Sequence, residues 1–406
     1  MSKACSIFFY DGWLGIAPTV INLAELLSKN DFKVTIYTRD TGYVRPANFN
    51  DSISVIYFSR RIEFEKFIKL LNKIKLGSLA STILLMLFAF QTLIYQFKYN
   101  RKNADDSISL GVDTNGAILA LLETCFTKSR LVYLSLELDN ADKGSFPHFD
   151  RWRLTFDRFA YRRSVCLIIQ DEDRFKSLCK YGRYIHKKVF YIANSVFLYG
   201  LDKNTTSSES SNLFRERFNL EKSEYPHLIL QAGMIADEVF SKELATAFNS
   251  IKKSFALIFH CSRKRNLNEP YIETLRDINT SNLYLSLDPL PYEQIDRVFI
   301  SATIGLAFYR AVDDNFSQIA KASGKLSGYL KYGKPVLISD LQSLVQLNEK
   351  YQFGIVIKDP SSSAEVEQAL EKVISNYDFY SSNAISCYEQ EFNFGNQSRP
   401  FLEFIA

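Results

Sequence analysis

The stretch Ala322–Ser339, ASGKLSGYLKYGKPVLIS, sets Ser-Gly-Lys at the mouth of a short helical pattern and returns through Gly-Lys-Pro into an apolar strand. Ser323 is a good N-cap, and Gly324 lets a ligand approach the backbone closely. Lys325 adds a point charge beside the N–H groups that a helix start leaves unpaired. Residues of these types in this order can hold a phosphate or diphosphate. A capped surface helix is the plainer alternative.

Other residues could share such chemistry. Arg263, Lys264 and Arg265 follow the strand pattern ALIFHC and suit an anionic ligand, although a solvated basic loop fits them equally. Tyr309 and Arg310 end IGLAFYR, at the position where a binding pocket is lined. Gly12 and Gly15 sit in a strand–loop–helix stretch, FFYDGWLGIAPTVINLAELL, that does not match the dinucleotide pattern G-x-G-x-x-G. They suit a loop approaching a sugar, an acceptor or a phosphate. Glu137 and Asp139 end LVYLSLEL and can serve as base or acceptor contact, or as caps. Asp171-Glu172-Asp173 reads D-x-D by letter, but it opens a helix, where acidic residues serve the positive end of the dipole. No metal is expected there. The four histidines lack nucleophile–base spacing, and His260, ending a strand, is the one retained as a candidate.

These residues need a frame. Short apolar runs alternate with amphipathic stretches: CSIFFY, KVTIYT, ISVIYF, SISLGV, LVYLSL, VCLIIQ and KVFYIA in the first half. In the second half come HLILQAG, FALIFHC, NLYLSL, TIGLAFY, KPVLIS and FGIVIK. Runs without period-2 alternation suit parallel strands buried on both faces. Strand–helix alternation over 406 residues predicts an α/β chain of two Rossmann-like, doubly wound parallel sheets, with a ligand beyond the carboxyl ends of the strands, in a central cleft. The expected division is 1–198, a polar junction at 199–226, 227–385, and a segment 386–406 that crosses back to the first domain.

Composition narrows the class. With 47% hydrophobic and 23% charged residues, the chain can build large cores. Its 49 Lys and Arg against 45 Asp and Glu leave a net charge of +4, too small for a dedicated nucleic-acid binder. Six scattered cysteines without metal-ligand spacing, and an N-terminus with too short an apolar run for a secretory signal, point to the cytoplasm.

One segment breaks the rhythm. Residues 76–97, LGSLASTILLMLFAFQTLIYQF, carry no formal charge. Ser78, Ser81, Thr82, Thr92 and Gln96 share one narrow helical face, leaving Gln91 elsewhere. The preceding RRIEFEKFIKLLNKIK has six Lys and Arg against two Glu, a pattern drawn to anionic lipid. Peripheral membrane contact is favoured over a buried core helix, and both over a span, which would split a Rossmann domain between compartments.

Taken together, GWLGIAPTVINLAELLSKNDFKVTIYT, ILQAGMIADEVFSKELATAF, NLYLSLDPLPYEQIDRVFISATIGLAFYR and SGKLSGYLKYGKPVLIS resemble the two-Rossmann (GT-B) glycosyltransferases, specifically the family 4 group. The resemblance implies a nucleoside-diphosphate sugar as donor substrate and no cofactor. Its diphosphate would meet the backbone around Ser323, Gly324, Lys325 and Leu326, with Arg263, Lys264 and Tyr309 lining the same site. The N-terminal domain, through Gly12 and Gly15, would receive a saccharide or lipid-linked acceptor at the inner membrane face, for surface polysaccharide or glycolipid synthesis. Transfer would be metal-independent and hexosyl in type. Two glutamates of many relatives align with Ala320 and Gly328, so the paired carboxylates are missing; Asp313 and Asp314 are the nearest acids. A degenerate nucleotide-sugar-binding protein and a nucleotide-sugar 2-epimerase are the alternatives.

Overall fold

Each of the thirteen apolar runs becomes a strand, and every strand pairing is parallel. The computed structural model describes residues 3–43, 45–46, 49–58, 77–99, 107–138, 148–196 and 212–406. The first sheet comprises β1 (Lys3–Phe9), β2 (Phe32–Arg39), β3 (Ile53–Phe58), β4 (Ser107–Val112), β5 (Arg130–Leu134), β6 (Cys166–Ile169) and β7 (Val189–Tyr191). Its order is β3-β2-β1-β4-β5-β6-β7. The second comprises β8 (His227–Gly233), β9 (Phe255–Cys261), β10 (Leu283–Ser286), β11 (Ile304–Ala307), β12 (Val336–Ser339) and β13 (Gly354–Ile357), ordered β10-β9-β8-β11-β12-β13. In each sheet the winding reverses once, between β1 and β4 and between β8 and β11. Such reversals open a crevice beyond the strands' carboxyl ends.

The chain divides into two compact units. One runs to Ile192 and takes back Gly395–Ala406; the other holds Ala193–Phe394. The first unit includes α1 (Pro18–Ser28), α2 (Gly77–Tyr99), α3 (Asp113–Thr124), α4 (His148–Arg163) and α5 (Glu172–Gly182). The second includes α6 (Ser241–Phe248), α7 (Gly324–Lys331), α8 (Ser363–Ser375) and α9 (Tyr377–Glu391). The final helix, α10 (Phe394–Ile405), lies almost wholly in the first unit. There Phe401 and Phe404 pack on Phe190, each at 5.5 Å between ring centroids, and Arg130 donates to the Ile405 carbonyl at 2.8 Å.

Burial explains why the central strands lack alternation: all seven residues of β9 are buried. Leu228 and Leu230 feed one core of the second sheet and Ile229 the other. Close packing is equally visible in the first unit. A Cβ on Gly116 of α3 would fall 2.2 Å from the Phe8 carbonyl oxygen, so glycine lets this helix lie directly on β1.

The apolar segment forms most of α2, and no helix among the described residues is long and apolar enough to cross a membrane. Its basic neighbour, residues 60–75, lies outside the described residues. Part of the polar stripe turns inward: Thr82 and Thr92 are buried and Gln96 half-buried, whereas Ser81 is exposed, as are Met86, Phe90 and Ile94. Gln96 donates to Glu123 at 2.5 Å. Glu123, in α3, also accepts from Ser6 of β1 at 2.8 Å and from Ser109 of β4. Burial pushes its carboxyl up to about 7, against the pull of these donors.

A carboxyl held up in the folded state stabilises fully below its unfolded value, and that contribution is lost as pH rises toward 7. Glu123→Gln should therefore flatten the pH dependence of unfolding between about pH 4.5 and 7, by on the order of 3 kcal/mol for a carboxyl moved from 4.5 to about 7. Urea melts of both proteins across that window check it.

Candidate functional site

In the second unit, β11 runs out into Phe308, Tyr309 and Arg310; Ser323 lies fourteen residues beyond Tyr309, and α7 begins at the next residue, Gly324. Ser323 caps α7 as its residue type predicts: its Oγ accepts from the Leu326 amide at 3.1 Å. The Leu326 amide is thereby consumed. The amides of Gly324 and Lys325 have no partner among the described residues. Tyr309 and Ser323 share a hydroxyl–hydroxyl hydrogen bond of 2.5 Å, and burial raises the Tyr309 phenol.

Lys325 lies half-buried over the Tyr309 ring, its Nζ 4.2 Å from the centroid and 3.5 Å from the Phe308 carbonyl oxygen. No carboxylate among the described residues pairs with it. Desolvation pulls its ammonium down to about 7. A half-buried cation with no counter-ion, next to two unpaired amides, is an anion site by its electrostatics.

Two features hold this corner in place. The hydroxyl of Tyr329 donates to the Leu230 carbonyl at 2.7 Å and accepts from the Ala232 amide at 3.0 Å. It thus pins α7 to β8 where the β8–β11 pairing ends. A Cβ on Gly305 would fall 2.3 Å from the Tyr329 ring, so glycine makes the room. Ahead of Ser323, Asn194 donates to the carbonyls of Lys321 and Ala322 at 2.8 and 3.0 Å. Lys321 pairs with Glu391 at 2.6 Å. At the end of β8, Gly233 adopts φ +98° with open space beside it, as a backbone meant for close approach requires.

Other candidates sit apart. Arg263 and Lys264 are exposed on the loop after β9, and Lys264 pairs with Asp288 at 3.5 Å. Neither touches Ser323, Lys325 or Tyr309 among the described residues. Arg265 is engaged with Glu269 and the Ile235 carbonyl. Arg310 is held by Glu243 and stacks on Phe240. His260 is 2% exposed, bonded through Nδ1 to Ser286 at 2.8 Å, and held down to about 3 by burial and then by Arg217. It is a core histidine. Asp313 caps the turn after it, accepting from Phe316 at 3.1 Å. A cavity of about 300 Å³ borders Tyr309 and Arg310 at the ends of β11, β12 and β13.

The first unit presents carboxylates at its own reversal point. Glu137 is exposed after β5; Asp139 lies outside the described residues. Asp113, missed from the sequence, follows β4 with φ +54° and is buried. Its Oδ1 accepts from the amides of Leu136 at 2.6 Å and Glu137 at 2.9 Å. Burial, then the Asp11 carboxylate and more weakly Glu137, hold its carboxyl well above the usual range. Gly12 and Gly15 are buried: Gly12 has φ +83°, and a Cβ there would meet Thr41 at 2.5 Å. Packing against β2's exit accounts for Gly12 without a ligand.

No protein-family model and no curated protein matches the sequence. Solved structures do match in fold. Sucrose-phosphate synthase from Thermosynechococcus elongatus is 12% identical with a TM-score of 0.63, covering 99% of this chain and 98% of its own. Anabaena Alr3699/HepE, in complex with UDP and glucose, is 12% identical with a TM-score of 0.64, covering 100% and 99%. WaaG, a glycosyltransferase of lipopolysaccharide biosynthesis, is 13% identical with a TM-score of 0.61, covering 98% of each chain. The fold is that of the GT-B glycosyltransferases, with two parallel-sheet Rossmann-like units.

Replacing the lone cation separates its two effects. Lys325→Met should weaken binding of a nucleoside diphosphate about 10- to 100-fold, the worth of one charge-assisted hydrogen bond. The same change should raise the melting temperature at pH 7. An amine held down when folded loses stability as pH falls from about 10.5 toward 7, and methionine removes that loss. Calorimetry and thermal melts of both proteins measure the pair of shifts.

Proposed function

We propose that this protein is a glycosyltransferase that moves a hexosyl group from a nucleoside-diphosphate sugar to a saccharide or lipid-linked acceptor. The observation that carries the reading is the half-buried Lys325, without a carboxylate counter-ion among the described residues, beside the unpaired amides of Gly324 and Lys325. Loss of a nucleoside diphosphate develops negative charge on the leaving oxygen. Preorganised N–H groups and an ammonium stabilise that charge without a metal ion. That UDP and glucose are bound in the similarly folded Anabaena protein supports the donor class. The cavity bordering Tyr309 offers room for the glycosyl group. Within the first unit, Glu137, at the carboxyl end of β5, is the carboxylate we assign to the acceptor. The sparse histidines, with His260 buried and neutral, weigh against an epimerase. The absence of carboxylates at Ala320 and Gly328 favours, as a second reading, a donor-binding protein without turnover.

Calorimetry with UDP, GDP and UDP-glucose decides between transferase, binder and neither. Micromolar affinity for one nucleotide, lost in Lys325→Met, is the expected outcome. Binding without release of nucleotide from any sugar donor would select the second reading. No binding of any nucleotide would remove both.

We also assign the acceptor to a membrane surface. The supporting feature is the exposed row Met86, Phe90 and Ile94 on α2, spaced four residues apart, next in sequence to the basic run at 60–75. The protein should co-sediment with vesicles rich in anionic phospholipid, and Met86→Ser/Phe90→Ser/Ile94→Ser should lose most of that binding. Equal sedimentation with neutral vesicles would contradict the electrostatic half of the claim.

A further inference from the structure

Among the features of the first unit, the turn after β5 concentrates several that are costly. Arg174, on α5, is fully buried. Gln170 is 2% exposed, and Asp113 is buried in a left-handed backbone conformation that few non-glycine residues adopt. All three are directed at the same four residues, Ser135–Leu138. Arg174 donates to the Leu136 carbonyl at 2.8 Å. Gln170 donates to the carbonyls of Ser135 and Leu136 at 2.9 and 3.2 Å. Asp113 accepts the amides of Leu136 and Glu137. The turn closes on itself through Ser135 Oγ to the Glu137 carbonyl at 3.2 Å, while the Ser135 amide extends the β5–β6 pairing to Ile168.

Burying a guanidinium and a carboxylate is seldom the cheapest way to stabilise a fold, since apolar residues of similar size often do as well. What these groups give is direction. Donors and acceptors drawn from α5, the end of β6 and the end of β4 hold both the carbonyl and the amide of the Ser135–Leu136 and Leu136–Glu137 peptides. The side chain left exposed at its centre is a carboxylate, Glu137. Leu136 and Leu138 on either side are buried at 6% exposure, so the turn cannot rotate without exposing them.

We infer that Arg174, Gln170 and Asp113 are positioning residues that aim the Glu137 carboxylate at the acceptor hydroxyl. The inference rests on the transferase reading for its acceptor, but its geometry is testable without it. Held this way, Glu137 accepts the hydrogen bond of the incoming hydroxyl in a fixed direction, which is where a rigid turn gains over a mobile one.

The test uses the full-length protein, with Arg174→Lys, Glu137→Gln and the double variant. Lysine keeps the charge but loses the planar fork. Amide hydrogen exchange comes first: Leu136 and Glu137 should exchange about tenfold faster or more in Arg174→Lys, with amides of the second unit unchanged. Unchanged protection at both amides would overturn the clamp, whether or not any sugar donor is used. Release of UDP from UDP-glucose, with water or added acceptor, follows. Each single variant should fall about tenfold in kcat with its affinity for UDP unchanged, and the double variant should fall no further than the worse single. Effects that multiply to about a hundredfold would show that Arg174 acts independently of Glu137 and overturn the inference. Should Arg174→Lys not fold, Gln170→Leu replaces it under the same criteria. Failure of the wild type to bind either UDP or GDP would count against the proposed function and leave the exchange result standing.

Discussion

The Tyr329 hydroxyl is the contact on which the corner of the second unit around Ser323 and Lys325 depends. Where two parallel strands part at a reversal point, their facing carbonyls and amides lose each other, and buried polar groups without partners are costly. Tyr329 meets this demand from α7, taking the Leu230 carbonyl and the Ala232 amide of β8. One hydroxyl therefore satisfies the opened ladder and fixes the helix whose first turn carries Ser323, Gly324 and Lys325. Gly305 on β11 and the Phe299 ring complete the socket, the latter edge-on to Tyr329 at 5.2 Å. The anion site is thus a consequence of how the sheet ends.

The first unit solves the same problem with charge. At the β1–β4 reversal no tyrosine among the described residues bridges the strands; Asp113 turns left-handed and reaches the turn after β5. Burial, then the Asp11 carboxylate and more weakly Glu137, hold its carboxyl above the usual range against the pull of the two amide donors. A hydroxyl suffices where the neighbour is backbone, and a carboxylate serves where a second strand's exit loop has to be gathered in. The two sheets share their single reversal, yet a tyrosine hydroxyl braces the strand ends in one and an aspartate carboxyl in the other.

Much of this was legible in the residues. ISVIYF, SISLGV, HLILQAG and FALIFHC became strands with unchanged limits, because a strand buried on both faces needs an uninterrupted apolar run and nothing else makes one as readily. The Ser323 cap was also legible, since capping is decided within four residues. What escaped was anything set by distant partners. Asp113 looked like an ordinary residue after a strand; its left-handed backbone and its reach to Leu136, 23 residues away, come from the fold. Arg174 lies in a helix that reads as polar, and its burial depends on the carbonyl of a turn 38 residues earlier. The stripe on α2 was located correctly by periodicity, but the side it faces was decided by Glu123, which a helical wheel does not contain.

The missing glutamates have a physical cause in the packing of α7. Gly328 is buried, and a Cβ there would fall 2.4 Å from the Phe299 ring. A carboxylate at this position would need Phe299 to withdraw, taking with it the edge contact that holds Tyr329. Ala320, at 6% exposure, leaves no more freedom eight residues earlier, in the turn that precedes α7. The two substitutions therefore belong to one arrangement in which α7 sits deep and is anchored by its tyrosine. On the reading proposed above, contacts to the donor that side-chain carboxylates make elsewhere fall here to backbone amides and to Lys325, groups that recognise phosphate rather than sugar hydroxyls. Discrimination among sugars must then come from residues outside α7, and the walls of the cavity that borders Tyr309, among them Asp340 and Lys358, are where such contacts would have to lie.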